Sequence, residues 1–318
     1  MGMSRPFRIL SIDGGGIRGV FPAHILQCIE ERLSINLFDT FDMIAGTSTG
    51  SIIAAGVATG ISASDIVEMY KVHGAGIFKK KRFPIPTKKG KALLQPMFDS
   101  VYNPEYLEKT LEGVFGAQKL GGISKPLLLP STDIGNGQVH VLKSFYDKDF
   151  TRDTEVLVKD AVLASCSAPT YFEPHKLEHY LLADGGLWAN NPALAAFIDA
   201  QKRLSIAKDD IRILSIGTGH SKVMYGTNKS KAWGLINGWK NKEFINFILS
   251  LQSQSAHNYL GLMVEPHQLK RIDFESDNPL PLDDVSAIGD LISRADNKFT
   301  HESAAIKKFI LSEEVRDA

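Results

Sequence analysis

The sequence predicts an α/β fold in which helices flank a mostly parallel central sheet, and two observations support this prediction. Short apolar runs without strict alternation are typical of strands that are covered on both faces. The first two of these runs are each followed by a glycine-containing turn and an apolar segment with helical spacing, which is the repeating unit of a parallel sheet. A hydrophobic fraction of 43% in 318 residues is ample for a large core.

The predicted elements follow the chain in that order. The first unit is a strand over Phe7–Ile12 and a helix over Val20–Leu33. The second unit is a strand over residues 42–45 and a helix over 51–58. We find no linker and no repeat, so we predict one domain over residues 1–318. Further strands are predicted at 125–133, 139–145, 180–183, 211–216 and 268–274, helices at 154–165 and 193–204, and a mainly helical part at 221–318.

Charge, cysteine content and the lack of long apolar runs argue against a nucleic-acid-binding, metal-binding or membrane-spanning protein. Lys+Arg and Asp+Glu each total 36, so the global charge predicts no nucleic-acid polymer as a partner. Cys28 and Cys166 lie in apolar contexts and are expected to be buried thiols, and no metal or organic cofactor is predicted. The N-terminal residues lead straight into a strand, and no apolar run approaches the ~18 residues of a spanning helix, so we expect a cytoplasmic location.

The turn Gly46-Thr-Ser-Thr-Gly50 contains the first candidate for catalysis. It follows a buried strand and precedes a helix, and it matches G-x-S-x-G, the pattern of a nucleophile elbow. Glycines suit this place because the strand and helix backbones come close and leave no room for a Cβ atom. We interpret Ser48 as a nucleophile at the carboxyl end of the strand. The alternative is a helix cap made by Ser48 or Thr47.

A serine nucleophile needs a base, and the sequence offers two kinds. Asp184 ends an apolar strand and is followed by two glycines, so it is placed to accept the Ser48 proton in a two-residue dyad. A Ser–Asp–His triad would instead use a late histidine. Four histidines qualify by position, and the first of them follows a distinctive glycine turn: His220, His257, His267 and His301.

The loop after the first strand contains the spacing G-x-G-x-x-G, which is typical of a dinucleotide-binding turn. Such a turn requires an acidic residue at the end of the second strand, but that strand leads into Gly46-Thr-Ser48 instead. We therefore interpret the loop as an oxyanion hole. Main-chain N–H groups of Gly14, Gly15 and Gly16 would face the anion, with Arg18 as a supporting cation.

Together these motifs resemble those of the patatin-like phospholipase family. The segments Asp13-Gly-Gly-Gly-Ile-Arg-Gly19, Gly46-Thr-Ser-Thr-Gly50 and Asp184-Gly-Gly186 match its anion loop, serine elbow and D-G-[GA] box in family order. Segments at 164–172, 190–192 and 215–219 also resemble family segments, so the similarity spans residues 7–220. The resemblance implies a three-layer sandwich and phospholipase A-type hydrolysis of lipid acyl esters, with Ser48 as nucleophile, Asp184 as base and no cofactor.

Basic residues cluster in the segment 78–91, where two prolines and two aromatic residues separate them. We expect this segment to contact an anionic membrane surface or a phosphate-bearing regulator. The alternative is a solvated loop with no role. The basic residues concerned are Lys79, Lys80, Lys81, Arg82, Lys88 and Lys89.

Compact patatins of this kind resemble effectors of CBASS anti-phage systems, which a cyclic nucleotide activates. The resemblance implies membrane phospholipids as substrate, a cyclic-nucleotide activator and action at the inner membrane surface, and it leaves a homo-oligomer open. No motif in the sequence identifies a binding site for this nucleotide. Two other functions remain open: a soluble α/β-hydrolase carboxylesterase with a Ser–Asp–His triad, and a non-catalytic nucleotide-binding protein.

Overall fold

A mixed sheet of eight strands lies at the centre of the fold. The computed structural model describes residues 5–81, 100–221 and 242–312. The strands of this sheet are β1 (Phe7–Ile12), β2 (Met43–Gly46), β3 (Leu127–Asp133), β4 (Gln138–Lys143), β5 (His175–Leu177), β6 (Tyr180–Asp184), β7 (Ile211–Ile216) and β9 (Leu269–Ile272). Two further short strands, β8 (His220–Ser221) and β10 (Glu275–Ser276), pair with each other outside it.

The strand order is β5-β6-β3-β2-β1-β7-β9, with β4 paired to β3. The central strands are parallel, because β1 pairs in parallel with both β2 and β7, and β2 and β7 continue in parallel to β3 and β9. Antiparallel pairing is confined to the side of the sheet that contains β4, β5 and β6. The predicted mostly parallel centre is confirmed, and the carboxyl ends of β1, β2 and β7 meet at one edge.

Helices cover both faces of the sheet. The helices are α1 (Val20–Leu33), α2 (Leu37–Thr40), α3 (Thr49–Ala58), α4 (Ala63–Ile77), α5 (Glu105–Phe115), α6 (Val158–Cys166), α7 (Gly186–Ala189), α8 (Ala193–Lys202), α9 (Lys242–Met263) and α10 (Ile288–Leu311). One apolar core contains side chains of α1, α3, α4, α6 and α10, and a second core contains side chains of α8 and α9. The result is the predicted three-layer sandwich.

The boundaries of some elements differ from the prediction. The helix predicted at 154–165 begins only at Val158, because the preceding residues pair with another part of the chain: Leu120 donates its N–H to the oxygen of Val156, and Gly121 donates to that of Thr154. Helices α4 and α5 and strand β5 were not predicted. The strand predicted at 268–274 exists as β9 and joins the central sheet beside β7, so the C-terminal part contributes to the same sheet.

A membrane-spanning helix was neither predicted nor found. Within residues 5–81, 100–221 and 242–312, no helix is both long enough and apolar enough to cross a bilayer.

Candidate active site

Ser48 occupies a sharp turn between β2 and α3. Its φ of 53° and ψ of −127° are values that residues other than glycine rarely adopt, as expected of a nucleophile elbow. A Cβ atom at Gly46 would overlap the main-chain oxygen of Gly50, and a Cβ at Gly50 would overlap that of Ile12. Both glycines are therefore required for the close approach of strand and helix that the sequence predicted.

The helix-cap alternative for this turn is wrong. Ser48 stands at the N-cap position of α3, but its side chain makes no capping hydrogen bond. The hydroxyl of Thr47 donates instead to the main-chain oxygen of Ala189 at 2.7 Å. The Ser48 hydroxyl is consequently available for chemistry, and it is half-buried at the first turn of α3.

Asp184 ends β6 and lies beside Ser48. Strand β3 connects the two, since it pairs with β2 and also with β6, where Ser131 lies opposite Asp184. The carboxyl group is buried, its Oδ1 accepts the N–H of Gly186 at 2.7 Å, and the Ser48 hydroxyl donates to it. Burial raises the pKa of Asp184 to about 6, and the two hydrogen bonds limit the rise. The group is thus ionised at neutral pH and is a base of moderate strength.

Ser165 fixes the elbow from the neighbouring helix α6, and sequence reasoning assigned it no role. Its hydroxyl accepts the N–H of Ser48 at 3.0 Å and donates to the main-chain oxygen of Pro130 at 2.6 Å. Its side chain thereby joins the nucleophile to the middle of β3. The signal was present in the segment at 164–172, but the sequence does not say which of its three serine and threonine hydroxyls faces the elbow.

The glycine loop supplies two main-chain donors, where the sequence predicted three. The N–H of Gly14 already donates to the main-chain oxygen of Asn190 at 3.0 Å, so the predicted oxyanion role of Gly14 is corrected. Gly15 and Gly16 line the cavity that contains Ser48, and neither N–H donates to any group in the described part of the chain. A Cβ at Gly14 would meet Asn190, and a Cβ at Gly15 would overlap Thr218. The loop is held tightly against its neighbours.

Arg18 supports this loop through main-chain contacts. Its Nε donates to the oxygen of Gly15 at 3.1 Å, and its Nη1 donates to the oxygen of Gly219 at 3.1 Å. Burial lowers the pKa of Arg18 to about 10, so the side chain remains a cation. Arg18 does not line the cavity that contains Ser48. It therefore fixes the position of Gly15 and does not itself face a bound substrate.

A buried ion-pair cluster holds the start of the loop, and no motif in the sequence predicted it. Arg271 of β9 donates to both carboxylate oxygens of Asp13, at 2.8 and 2.6 Å, and to Asp273 at 2.7 Å. Asp273 in turn accepts the N–H of Gly219 at 2.9 Å. Burial opposes the charge of Arg271, but the two carboxylates outweigh it and raise its pKa. Burial tends to raise the pKa of Asp273, but the charge and hydrogen bond of Arg271 hold that pKa well below the usual range. Burial raises the pKa of Asp13, and the charge of Arg271 and its hydrogen bonds limit that rise.

An apolar cavity opens at Ser48 and Asp184. It encloses about 820 Å³, part of which is open to solvent, and Ser48 and Asp184 lie in its wall together with Gly15 and Gly16. The rest of the wall is almost entirely apolar and includes Ile52, Ile77, Phe78, Leu107, Phe172 and Leu249. A cavity of this chemistry accepts a hydrocarbon chain and positions a group at its end beside the serine.

No histidine lines this cavity, although all nine histidines belong to the described residues. His220 lies with its Nδ1 3.8 Å from Oδ2 of Asp273, behind the glycine loop. His257 lies in the same region, since it shares a second cavity with His220. His267 and His301 line neither of these two cavities. The geometry therefore supports a dyad rather than a triad.

The predicted basic cluster is only partly described. Lys79 and Lys80 are exposed and follow directly on Ile77 and Phe78, which line the apolar cavity. Lys81 is half-buried and forms an ion pair with Glu173 at 2.7 Å, so its charge is neutralised by the protein. The other members of the cluster lie outside the described residues: Arg82, Lys88 and Lys89.

Both cysteines are buried, as predicted. One of them, Cys28, forms a possible ligand set with His24 and Asp296, whose donor atoms lie within 4.8 Å of one another. Arg32 already contacts Asp296 at 2.6 Å and neutralises that carboxylate. None of these residues lines the apolar cavity, so they take no part in the candidate site.

The elbow serine, the buried aspartate and the apolar cavity define the class of protein. They are the features of a serine hydrolase that acts on apolar acyl esters. The chain belongs to the patatin-like phospholipase family, because the family model described as "Patatin-like phospholipase" matches residues 10–197. The fold and the enzyme class predicted from the sequence are thereby confirmed.

Three curated relatives show where this chain lies within the family. A cGAMP-activated phospholipase of Escherichia coli (strain TW11681) is 37% identical over 231 residues, which cover 66% of this chain and 62% of the relative. A cGAMP-activated phospholipase of Vibrio cholerae serotype O1 is 31% identical over an alignment that covers 94% of this chain and 83% of the relative. A cUMP-AMP-activated phospholipase of Escherichia coli is 27% identical over an alignment that covers 96% of this chain and 94% of the relative. The chain thus spans less than two thirds of the first relative and most of the other two.

Proposed function

We propose that this protein is a phospholipase A-type lipid acyl hydrolase that works through a Ser48–Asp184 dyad. The observation that carries the proposal is the position of Ser48 on a strained elbow, hydrogen-bonded to a buried aspartate with a pKa of about 6, at the end of an apolar cavity. A free serine hydroxyl is a poor nucleophile, and an adjacent base removes that limitation.

The reaction proceeds in two halves. The Ser48 oxygen attacks the ester carbonyl carbon while its proton passes to the Asp184 carboxylate. The N–H groups of Gly15 and Gly16 stabilise the oxyanion. Collapse of the tetrahedral intermediate breaks the ester bond, and the departing lysophospholipid oxygen takes the proton from Asp184. Water then attacks the acyl-serine while Asp184 accepts its proton. Collapse of the second tetrahedral intermediate breaks the ester bond to Ser48, whose oxygen takes the proton back from Asp184 as the fatty acid leaves.

The apolar cavity supports a lipid as the substrate. A wall with almost no polar groups binds a fatty acyl chain, and burying each methylene of such a chain contributes about 0.8 kcal/mol. Lys79 and Lys80 stand on the surface next to the side chains at the cavity wall, where they would meet the anionic headgroups of a membrane. Membrane phospholipids at the inner surface of the cytoplasmic membrane are the substrate that fits both features.

We further propose that a cyclic nucleotide activates the enzyme and that it serves as an effector of anti-phage defence. The relatives described above are named for activation by cGAMP or cUMP-AMP, and the second and third of them cover more than nine tenths of this chain. A phospholipase that degrades the cell's own membrane needs such restraint. Light scattering of the wild-type protein with and without the nucleotide shows whether activation involves a homo-oligomer.

Lipid mass spectrometry tests the proposal. Liposomes of defined phospholipids are treated with the wild-type protein and with Ser48→Ala, each with and without cGAMP or cUMP-AMP. We expect free fatty acid and lysophospholipid only with the wild type, and more of both when the activating nucleotide is present. Release of a phosphorylated headgroup, or equal products from Ser48→Ala, would contradict the proposed reaction. Equal rates with and without every nucleotide would contradict the proposed activation alone.

A further inference from the structure

The loop between β1 and α1 contributes to two cavities. Gly15 and Gly16 line the apolar cavity at Ser48, whereas Asp13 and Arg18 line a second cavity of about 800 Å³, part of it open to solvent. Asn190 lies in the walls of both. The proposed reaction uses only the first cavity, so the second is without a role in catalysis.

The second cavity is polar where the first is apolar. Helix α9 forms one side of it with a run of amide, hydroxyl and imidazole side chains: Asn246, Ser250, Ser253, Gln254, His257 and Asn258. Two of their atoms, Oδ1 of Asn246 and Nδ1 of His257, are fully buried and have no hydrogen-bond partner among the described residues. Buried polar atoms without partners are rare in native proteins because each costs free energy. Their presence in one cavity points to a bound polar molecule.

Arg18 is the arginine of this cavity for which the described part of the chain offers no direct carboxylate partner. The carboxylates of Asp13 and Asp273 are both paired with Arg271. Arg18 is also buried, but its hydrogen bonds go to the main-chain oxygens of Gly15, Gly219 and Leu280, and no carboxylate in the described part of the chain lies within 4.0 Å of it. A guanidinium without a carboxylate partner is a strong donor for a phosphate. The formal charges of the two lining aspartates and the two lining arginines balance, and Arg18 is the group among them that is placed to bind an anion.

We propose that the second cavity is the activator site, in which Arg18 binds a phosphate of a cyclic dinucleotide and Asn246 and His257 bind the polar edges of its bases. The inference rests on the proposed function, which supplies the class of activator. Amide and imidazole groups both donate and accept hydrogen bonds, as the edges of nucleobases require. The size of the cavity suits such a molecule better than a single ion.

The same contacts connect this cavity to the oxyanion loop. Arg18 holds the oxygen of Gly15 at 3.1 Å, and Asn190 donates through Nδ2 to the oxygen of Gly14 at 3.3 Å and to the hydroxyl of Ser253 on α9 at 2.9 Å. A ligand that binds Arg18 and α9 together favours the arrangement in which the Gly15 and Gly16 N–H groups face the substrate. Activation is then a shift of population toward the competent loop.

The test fills the cavity without touching the catalytic groups. Ser250→Leu places an apolar side chain in the cavity wall, and the matched control Ser255→Leu changes an exposed residue of α9 that lines neither cavity. A second variant, Asn246→Leu, removes the unpartnered amide at nearly constant volume. Binding of cGAMP and cUMP-AMP is measured by calorimetry on the full chain, and the basal rate is measured with a soluble nitrophenyl ester.

We expect Ser250→Leu and Asn246→Leu to bind the activating nucleotide at least ~10-fold more weakly than the wild type. This factor corresponds to the loss of about one buried hydrogen bond to a charged or polar partner. Basal ester hydrolysis should be unchanged in both variants. Ser255→Leu should bind and respond as the wild type does. Equal binding by all four proteins would overturn the site while leaving nucleotide activation intact. A wild type that binds no cyclic nucleotide would instead overturn the proposed activation, and the site with it.

Photo-crosslinking keeps the inference testable if a variant fails to fold. A photoreactive azido analogue of the activating nucleotide is crosslinked to the wild-type chain, and the modified peptide is identified by mass spectrometry. The site predicts a crosslink within α9 or the glycine loop. A crosslink on the surface around Lys79 and Lys80, or on α10, would overturn it.

Discussion

Asp184 must carry a charge in a place from which water is largely excluded. Burial raises its pKa to about 6, and the hydrogen bonds from Ser48 and Gly186 prevent a larger rise. An aspartate with an ordinary pKa of 3.8 would be a weaker base toward a serine hydroxyl. The free-energy cost of burying Asp184 is thus the source of its basicity, and it has measurable consequences for both rate and stability.

The first consequence is a pH dependence of the rate. Because the base must be deprotonated, kcat/KM for a soluble ester should fall about tenfold per pH unit below about 6 and level off above that value. The measurement is a pH–rate profile from pH 4.5 to 8.5. The control is the same profile for His220→Asn, which should keep the inflection. A flat profile, or an inflection lost in the histidine variant, would contradict the role of Asp184.

The second consequence is that Asp184→Asn should separate activity from stability. The raised pKa means that the folded state disfavours the charged form, so this group's contribution to stability is lost as pH rises through about 6. At pH 8 the free energy of unfolding of the Asp184→Asn protein should be about 1–3 kcal/mol higher than that of the wild type. The two free energies of unfolding should converge near pH 4. Its ester hydrolysis should fall by ~10²–10⁴. Urea titrations at both pH values check this, and a wild type that is the more stable protein at pH 8 would contradict it.

At the scale of the elements, the site depends on strands that are distant in sequence. Residues 13 and 271 are 258 positions apart, yet they meet because β1 and β9 both flank β7. The ion pairs of Arg271 fix the start of the oxyanion loop and, through Asp273 and Gly219, the loop that follows β7. Strand β9, in the C-terminal part, therefore helps to position the catalytic loop.

Replacing Arg271 by Met should damage both stability and catalysis. It leaves two buried carboxylates without the cation that pairs with them, which typically costs about 3–5 kcal/mol of unfolding free energy. In the protein that remains folded, displaced Gly15 and Gly16 donors should lower kcat by ~10-fold or more, with KM for a soluble ester little changed. The control is Arg212→Met, which changes a buried arginine of β7 whose Nη1 donates to the main-chain oxygens of Asp209 and Ile211, near the other end of the strand. Loss of stability with normal kcat in both variants would contradict a positioning role for Arg271.

Much of the fold and the site could be predicted because their signals are local. The glycines around Ser48 and after Asp184 reflect close backbone contacts, and such contacts leave motifs in the sequence. Residues whose role depends on distant partners leave none. The N–H of Gly14 is occupied by Asn190, 176 residues away, and Arg271 and Ser165 act on groups contributed by other elements. Helix 154–165 was predicted four residues too early because tertiary pairing, not local propensity, decides its start.

At the scale of the whole molecule, charge and cavity are arranged on one surface. The exposed Lys79 and Lys80 continue directly from the cavity wall, while formal charges in the chain balance overall. A protein of balanced charge with exposed lysines beside an apolar cavity is suited to approach an anionic surface through that region.

Reversing these charges should weaken membrane binding and leave the chemistry intact. Lys79→Glu/Lys80→Glu should bind anionic liposomes at least ~10-fold more weakly, since each basic residue near such a surface contributes about 1 kcal/mol, and should hydrolyse a soluble ester normally. The matched control is Lys307→Glu/Lys308→Glu, an exposed pair on α10. Liposome sedimentation at low and high salt measures the effect. Equal weakening by both pairs would show a response to net charge and not to this surface.

The central claim is that Ser48 forms an acyl-enzyme with a lipid acyl chain. The wild-type protein is incubated with phospholipid liposomes and the activating nucleotide, quenched in acid within the first turnovers, digested and sequenced by tandem mass spectrometry. We predict a fatty acyl ester on Ser48, with the corresponding lysophospholipid in the supernatant, and no acylated peptide from Ser48→Ala. Lipid hydrolysis accompanied by an acyl adduct on another residue, or by full activity of Ser48→Ala, would contradict the account.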